Sequence, residues 1–215
     1  RTRSAGSAPG ARFGYAVAGA GDWNGDGFDD VAVGAPLGGE AGGGAVHLYF
    51  RSAQGIADTA TPLVIESSSG GDRLGSSVAL RRDPGHVGPD ALFAGAPGRS
   101  AALPSAGAVL IVPGSRSGRV ARTWIDGDRA FAQLGFSVAD AGERRWIAGA
   151  PFRSDEDRMH GSVLVAAPEP AGWLVEVVRG EVVDLVRVVS GGDSPTGQVV
   201  CVVLDEQAEL LDRRQ

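Results

Sequence analysis

Residues 13–36 read FGYAVAGAGDWNGDGFDDVAVGAP. Its two ends, FGYAVAGA and DDVAVGAP, alternate small and apolar residues, and the second stops at Pro36, so each reads as a short strand. The marks at the ends of the stretch recur. Leu74-Gly75 and Leu134-Gly135 repeat Phe13-Gly14, at spacings of 61 and 60 residues. Gly95-Ala96-Pro97 and Gly149-Ala150-Pro151 repeat Gly34-Ala35-Pro36. A third mark follows each: Gly44-Ala45-Val46, Gly107-Ala108-Val109 and Gly161-Ser162-Val163. Three ordered marks, three times over, define an internal repeat.

Further strands fall between the marks. AVHLYF, AVLIVPG and SVLVAAP are short apolar runs after a glycine, and TPLVIES, ARTWID and GWLVEVV supply a fourth strand per unit. Four short antiparallel strands in this length make a β-propeller blade. The expected fold is all-β: a propeller-type array of four-stranded antiparallel blades forming one domain over 1–215. Its repeats are expected at approximately 10–66, 67–125 and 126–178. Beyond them, 179–215 reads as a divergent or partial fourth blade without the marks. Glycine fits this reading. The chain holds 34 glycines in 215 residues, and glycine inside a helix costs about 1 kcal/mol per position, whereas crowded strands and tight turns use it.

Composition excludes several functions. The net charge is −6 and all 20 basic residues are arginine. No basic stripe of the kind nucleic acids need is present. No run of 18 apolar residues exists, so no membrane span is expected, and no signal peptide is visible. The single cysteine, Cys201, lies in QVVCVVL and reads as a buried strand residue.

The segment inside the first hairpin carries chemistry. Asp22, Asn24, Asp26 and Asp30 stand at loop positions 1, 3, 5 and 9, with Gly27 at the sharp turn and Phe28 offering its backbone carbonyl. An alternating D-x-N-x-D-G loop turns oxygens inward around a hard cation, and three carboxylates with an amide suit Ca²⁺ better than Mg²⁺. The EF-hand reading fails, because position 12 is Val33 and a strand follows. Without a cation the three carboxylates would repel one another. The plain alternative is an Asp/Gly-rich hairpin that binds nothing.

The order FG, D-x-N-x-D-G-x-x-D, GAP resembles the FG-GAP repeat of integrin α-subunit propellers, over roughly residues 10–168. The resemblance implies Asp22, Asn24, Asp26, Phe28 (through its carbonyl) and Asp30 as calcium ligands, on one rim, with ligand-binding loops on the opposite rim. The second repeat keeps the length but puts Asp83, Gly85, Val87 and Ala91 at the four oxygen positions, and the third loop is six residues shorter. One calcium site is therefore expected.

The opposite-rim loops are expected at 37–43, 98–106 and 152–160, joined by the connectors 67–73 and 126–133. Asp155, Glu156 and Asp157 read as a solvated loop or a site for a second cation or basic partner. Asp126 and Asp128 read as turn residues. Trp23, Trp124, Trp146 and Trp173 read as packing between blades, with a sugar site as the alternative. His47, His86, His160 and Ser76-Ser77 fall in no catalytic motif. The function expected is a non-catalytic, extracellular, calcium-binding module for a protein or glycan ligand. The alternatives are an accessory propeller of a secreted enzyme and a self-assembling structural element. An array of three and a half units also raises self-association or further blades.

Overall fold

The computed structural model describes residues 9–56, 61–81, 90–142, 145–155, 158–169, 172–179, 182–189 and 198–199. Every regular element among them is a strand. The first sheet runs β1 (Ala16–Gly21), β2 (Asp30–Ala35), β3 (Ala45–Tyr49), β4 (Leu63–Glu66), each antiparallel to the next. The second repeats the order with β5 (Ser77–Leu80), β6 (Leu92–Ala96), β7 (Ala108–Val112) and β8 (Thr123–Asp126). The third has β9 (Ser137–Gly142) and β10 (Arg145–Ala150), then a small hairpin of β11 (Ser154–Asp155) and β12 (Arg158–Met159), then β13 (Ser162–Glu169) and β14 (Gly172–Arg179). These are three propeller-type blades. Of the segment 179–215, β15 (Val182–Val189) pairs with β14 as a fifth strand of the third sheet, and β16 (Gln198–Val199) pairs in parallel with β8. Among the described residues that segment forms no sheet of its own. Cys201 lies outside them.

The blades stack face to face. In the middle blade the two-residue period sends Leu92, Ala94, Ala96, Leu110 and Val112 against Ala32, Val46, Leu48 and Ile65 of the first. The alternate residues Phe93, Val109 and Ile111 go against Trp146, Ala148, Ala150 and Leu164 of the third. Both faces are buried, which is why AVLIV is a continuous apolar run.

The recurring glycines set the spacing. A side chain at Gly34 would run into the Gly75 carbonyl, and one at Gly95 into that of Gly135. The glycines of the first two GAP marks thus each face the entrance glycine of the next blade, backbone against backbone. Gly75 and Gly135 also have φ of +87° and +84°, a conformation only glycine takes freely.

Antiparallel order places the β1–β2 and β3–β4 connections at one end of each blade. The β2–β3 loop and the inter-blade connector lie at the other. The two expected rims are therefore opposite ends of the sheets.

Candidate functional site

The β1–β2 loop, residues 22–29, folds onto its own acids. Asp22 Oδ1 accepts the N–H groups of Gly25 (2.7 Å) and Asp26 (3.0 Å), and its Oδ2 accepts that of Gly27 (2.7 Å). Asn24 Oδ1 accepts from the Asp26 N–H at 3.0 Å, and Asp26 Oδ1 from the Phe28 N–H at 2.9 Å. The Asn24 amide donates to Asp26 Oδ2 at 2.9 Å. Gly27, at φ +94°, makes the turn. Aspartate and asparagine form such turns because a short side-chain oxygen reaches the N–H two residues on.

Asp30 is different. It is fully buried at the start of β2. Its Oδ2 accepts from the N–H groups of Trp23 (2.9 Å) and Asn24 (3.4 Å), and its Oδ1 from that of Arg51 (3.1 Å). It clasps the neck of the loop to the end of β3. Burial pushes its pKa up to about 6, against the lowering effect of those three donors.

The loop is also pinned to the second blade. Trp23 is fully buried, stacks on Phe50 with ring centroids 5.9 Å apart, and donates its indole N–H to the Val112 carbonyl at 3.2 Å. Asp90 completes the link: its carboxylate accepts the Asp22 N–H, and its own N–H donates to the Asp22 carbonyl, both at 2.8 Å.

These residues suit a hard cation in kind. Carboxylate and amide oxygens are gathered on one turn, and oxygens holding one N–H keep a lone pair for a metal. Among the described residues no three acid, histidine or cysteine side chains stand as a formed metal cluster. The loop thus has the donors and the fold, and Asp30 lies at its neck with its oxygens on backbone donors.

On the opposite rim, two of the other sequence candidates fall into place. Asp126 and Asp128 are braces. Arg99 donates to Asp126 at 2.9 Å and to Asp72 at 3.1 Å, and lies 4.1 Å over the Trp124 ring. Arg153, almost fully buried, donates to Asp128 at 2.7 Å. Trp146 stacks on Phe93 between blades at 5.6 Å. His47 is buried on β3 beside the Phe13 ring, and His160 is exposed. Ser76 and Ser77 commit their hydroxyls to the carbonyls of Arg73 and Gly135. Asp83, Gly85, Val87, His86, Glu156 and Asp157, and the side chains of Asp155 and Trp173, lie outside what is described.

Sequence reasoning missed Asp90 and the arginine braces. The signal for the braces was present: Arg99 and Arg153 both stand two residues after the proline of their GAP mark.

Residues 13–49, which span the loop and the first three strands, match the FG-GAP repeat family. The chain carries an FG-GAP repeat. It is also similar to integrin alpha subunits. It is 39% identical to integrin alpha-5 of Xenopus laevis over 75 residues, 35% of this chain and 7% of that protein. It is 35% identical to integrin alpha-IIb of Mus musculus over 89 residues, 41% of this chain and 9% of that protein. With integrin alpha-V of Gallus gallus it shares 52% over 46 residues, 21% of this chain and 4% of that protein. The chain thus spans less than a tenth of the length of these relatives. The matched FG-GAP stretch contains both the Phe13-Gly14 mark and the whole acidic loop. No helix among the described residues is long and apolar enough to cross a membrane.

Proposed function

We propose that this chain is an extracellular, non-catalytic FG-GAP propeller module, stabilised by one calcium ion and used to bind a protein or glycan. Asp22, Asn24, Asp26 and Asp30, with the Phe28 carbonyl, would hold the ion. The observation that supports this best is the loop itself, whose turns are built from the oxygens the ion needs. The ion would supply positive charge where three carboxylates crowd, including Asp30, whose pKa is raised by burial and by the Asp26 charge. What the chain's own residues do is structural. Asp22, Asn24 and Asp26 fix the loop's turns, Asp30 and Trp23 tie it to β3 and to the second blade, and the braced rim at the far end presents its loops rigidly. The whole of 1–215 is taken as one domain, with repeats near 10–66, 67–125 and 126–178.

The test is thermal unfolding after metal removal. With a dissociation constant of about 10⁻⁴ M and roughly 1–2 mM calcium, linkage gives about 1.5 kcal/mol. Calcium is expected to raise the midpoint by several degrees over the chelated protein. Superimposable curves would remove the metal from the account.

A further inference from the structure

On the rim opposite the acidic loop, a cavity of about 370 Å³ is lined by residues of all three repeats, among them Arg12, Arg73, Tyr15, Ser76, Leu37 and Phe136. The lining follows the repeat. Tyr15, Ser76 and Phe136 each follow the entrance glycine of a blade, and Arg12 and Arg73 each stand two residues before it. Both arginines are held at positive φ, 56° and 59°, a conformation that bulky residues rarely adopt. Both are exposed. Neither guanidinium has a hydrogen-bond or ion-pair partner among the described residues, whereas Arg99 and Arg153 nearby are spent on aspartates. Two uncommitted cations at one cavity, in a chain of net charge −6, make a local field that favours an anion.

The surroundings narrow the class of anion. Exposed Phe136 meets exposed Phe152 edge to face at 6.3 Å. The Phe152 N–H bonds the Ala132 carbonyl, next to exposed Phe131, whose own N–H bonds the Pro104 carbonyl beside exposed Leu103. The loops that carry these four exposed apolar residues are thus tied into one band of the rim, and at its cavity end the Phe136 and Phe152 rings meet. Exposed aromatics around arginines are the composition of a protein-binding hot spot. A sugar acid would set hydroxyls against this band; a peptide would cover it with side chains.

We propose that this cavity receives an aspartate or glutamate side chain of a protein partner, with Arg12 and Arg73 as its counter-charges and flanking apolar residues of the partner on the Phe136–Phe152 band. This deepens the binding reading above and rests on it. Carboxylates are the natural match for the planar guanidinium fork.

The test uses the 215-residue protein in calcium buffer and NMR of arginine Nε–H groups. The probes are acetyl-Phe-Glu-Leu-amide, its Gln counterpart and glucuronate. The Glu peptide is expected to shift the Arg12 and Arg73 signals saturably, with the Gln peptide about tenfold weaker. Arg12→Asn and Arg73→Asn, which tolerate positive φ, should each weaken the Glu peptide by a similar factor while the Arg99 and Arg153 signals stay in place. Equal binding of both peptides overturns the carboxylate assignment. Saturation by glucuronate alone overturns the protein partner in favour of an acidic glycan, and saturation by none of the three overturns the site. The calcium-dependent melting shift is read separately, so a failure here is distinct from a failure of the metal reading.

Discussion

The first and third blades close the same hairpin with very different connections. In the first, residues 22–29 separate β1 from β2; in the third, only 143–144 separate β9 from β10. The strand pairing is nevertheless equivalent. Ala16 faces Gly34 and Ala18 faces Ala32 in one, and Ser137 faces Gly149 and Ala139 faces Ile147 in the other. A blade therefore does not need the acidic loop to form. What the loop adds is Trp23, which reaches the second blade, and a cluster of carboxylate and amide oxygens, where the described residues of the third hairpin offer Asp140 alone. Fold and site are separable within one repeat.

The largest way to break this comparison is at the anchor. Trp23→Ala removes a fully buried indole and should cost about 3–5 kcal/mol in urea unfolding. A loss below about 1 kcal/mol would mean the loop is an appendage, as dispensable to the first blade as its absence is to the third. Next comes the contact between blades. A Cβ at Gly95 meets the backbone of Gly135, whereas one at Gly149 meets only the Ser137 side chain, its hydroxyl at 2.6 Å. Gly95→Ala should destabilise by about 1–3 kcal/mol and Gly149→Ala by clearly less. Equal costs would mean that close approach between blades does not explain these glycines.

The metal follows. Asp26→Asn keeps an oxygen for the Phe28 N–H and removes one charge. The calcium-induced gain of about 1.5 kcal/mol should largely vanish while the metal-free midpoint moves little. A calcium gain that survives would place any ion elsewhere.

The smallest effect is pH. Desolvation lowers the His47 pKa from its ordinary 6.5, partly opposed by Glu66. The unfolded chain then takes the proton first, so the stability His47 contributes is present above about pH 6.5 and lost as pH falls below it. Asp30, with its pKa raised to about 6, works in the opposite sense, gaining stability as pH falls from about 6 toward its unfolded value. The His47 part is therefore read as the difference between the parent and His47→Phe in chelator. The variant should lose less stability between pH 7.5 and 5.5.

Much of this was legible in the sequence. The repeat marks placed the strands, because Gly and Pro punctuate them and apolar residues alternate between them. The acidic loop was legible because its spacing is local. What was not legible depends on neighbours distant in the chain. Asp90 acts on Asp22 from 68 residues away, and Asp126 and Asp128 looked like turn formers until Arg99 and Arg153, 27 and 25 residues distant, met them. Nothing in the sequence singled out Arg12 and Arg73. Their meaning comes from stacking two repeats, which brings equivalent positions to one cavity. The strands β15 and β16 carry no repeat mark, so their pairing with the third and second sheets had no sequence signal.

The most direct test of the central claim is equilibrium dialysis of metal-stripped protein against labelled calcium, in parallel with Asp26→Asn. The account predicts one ion per chain, with a dissociation constant of about 10⁻⁴ M and a large loss of affinity in the variant. No bound ion, or one ion held equally well by both proteins, would contradict it.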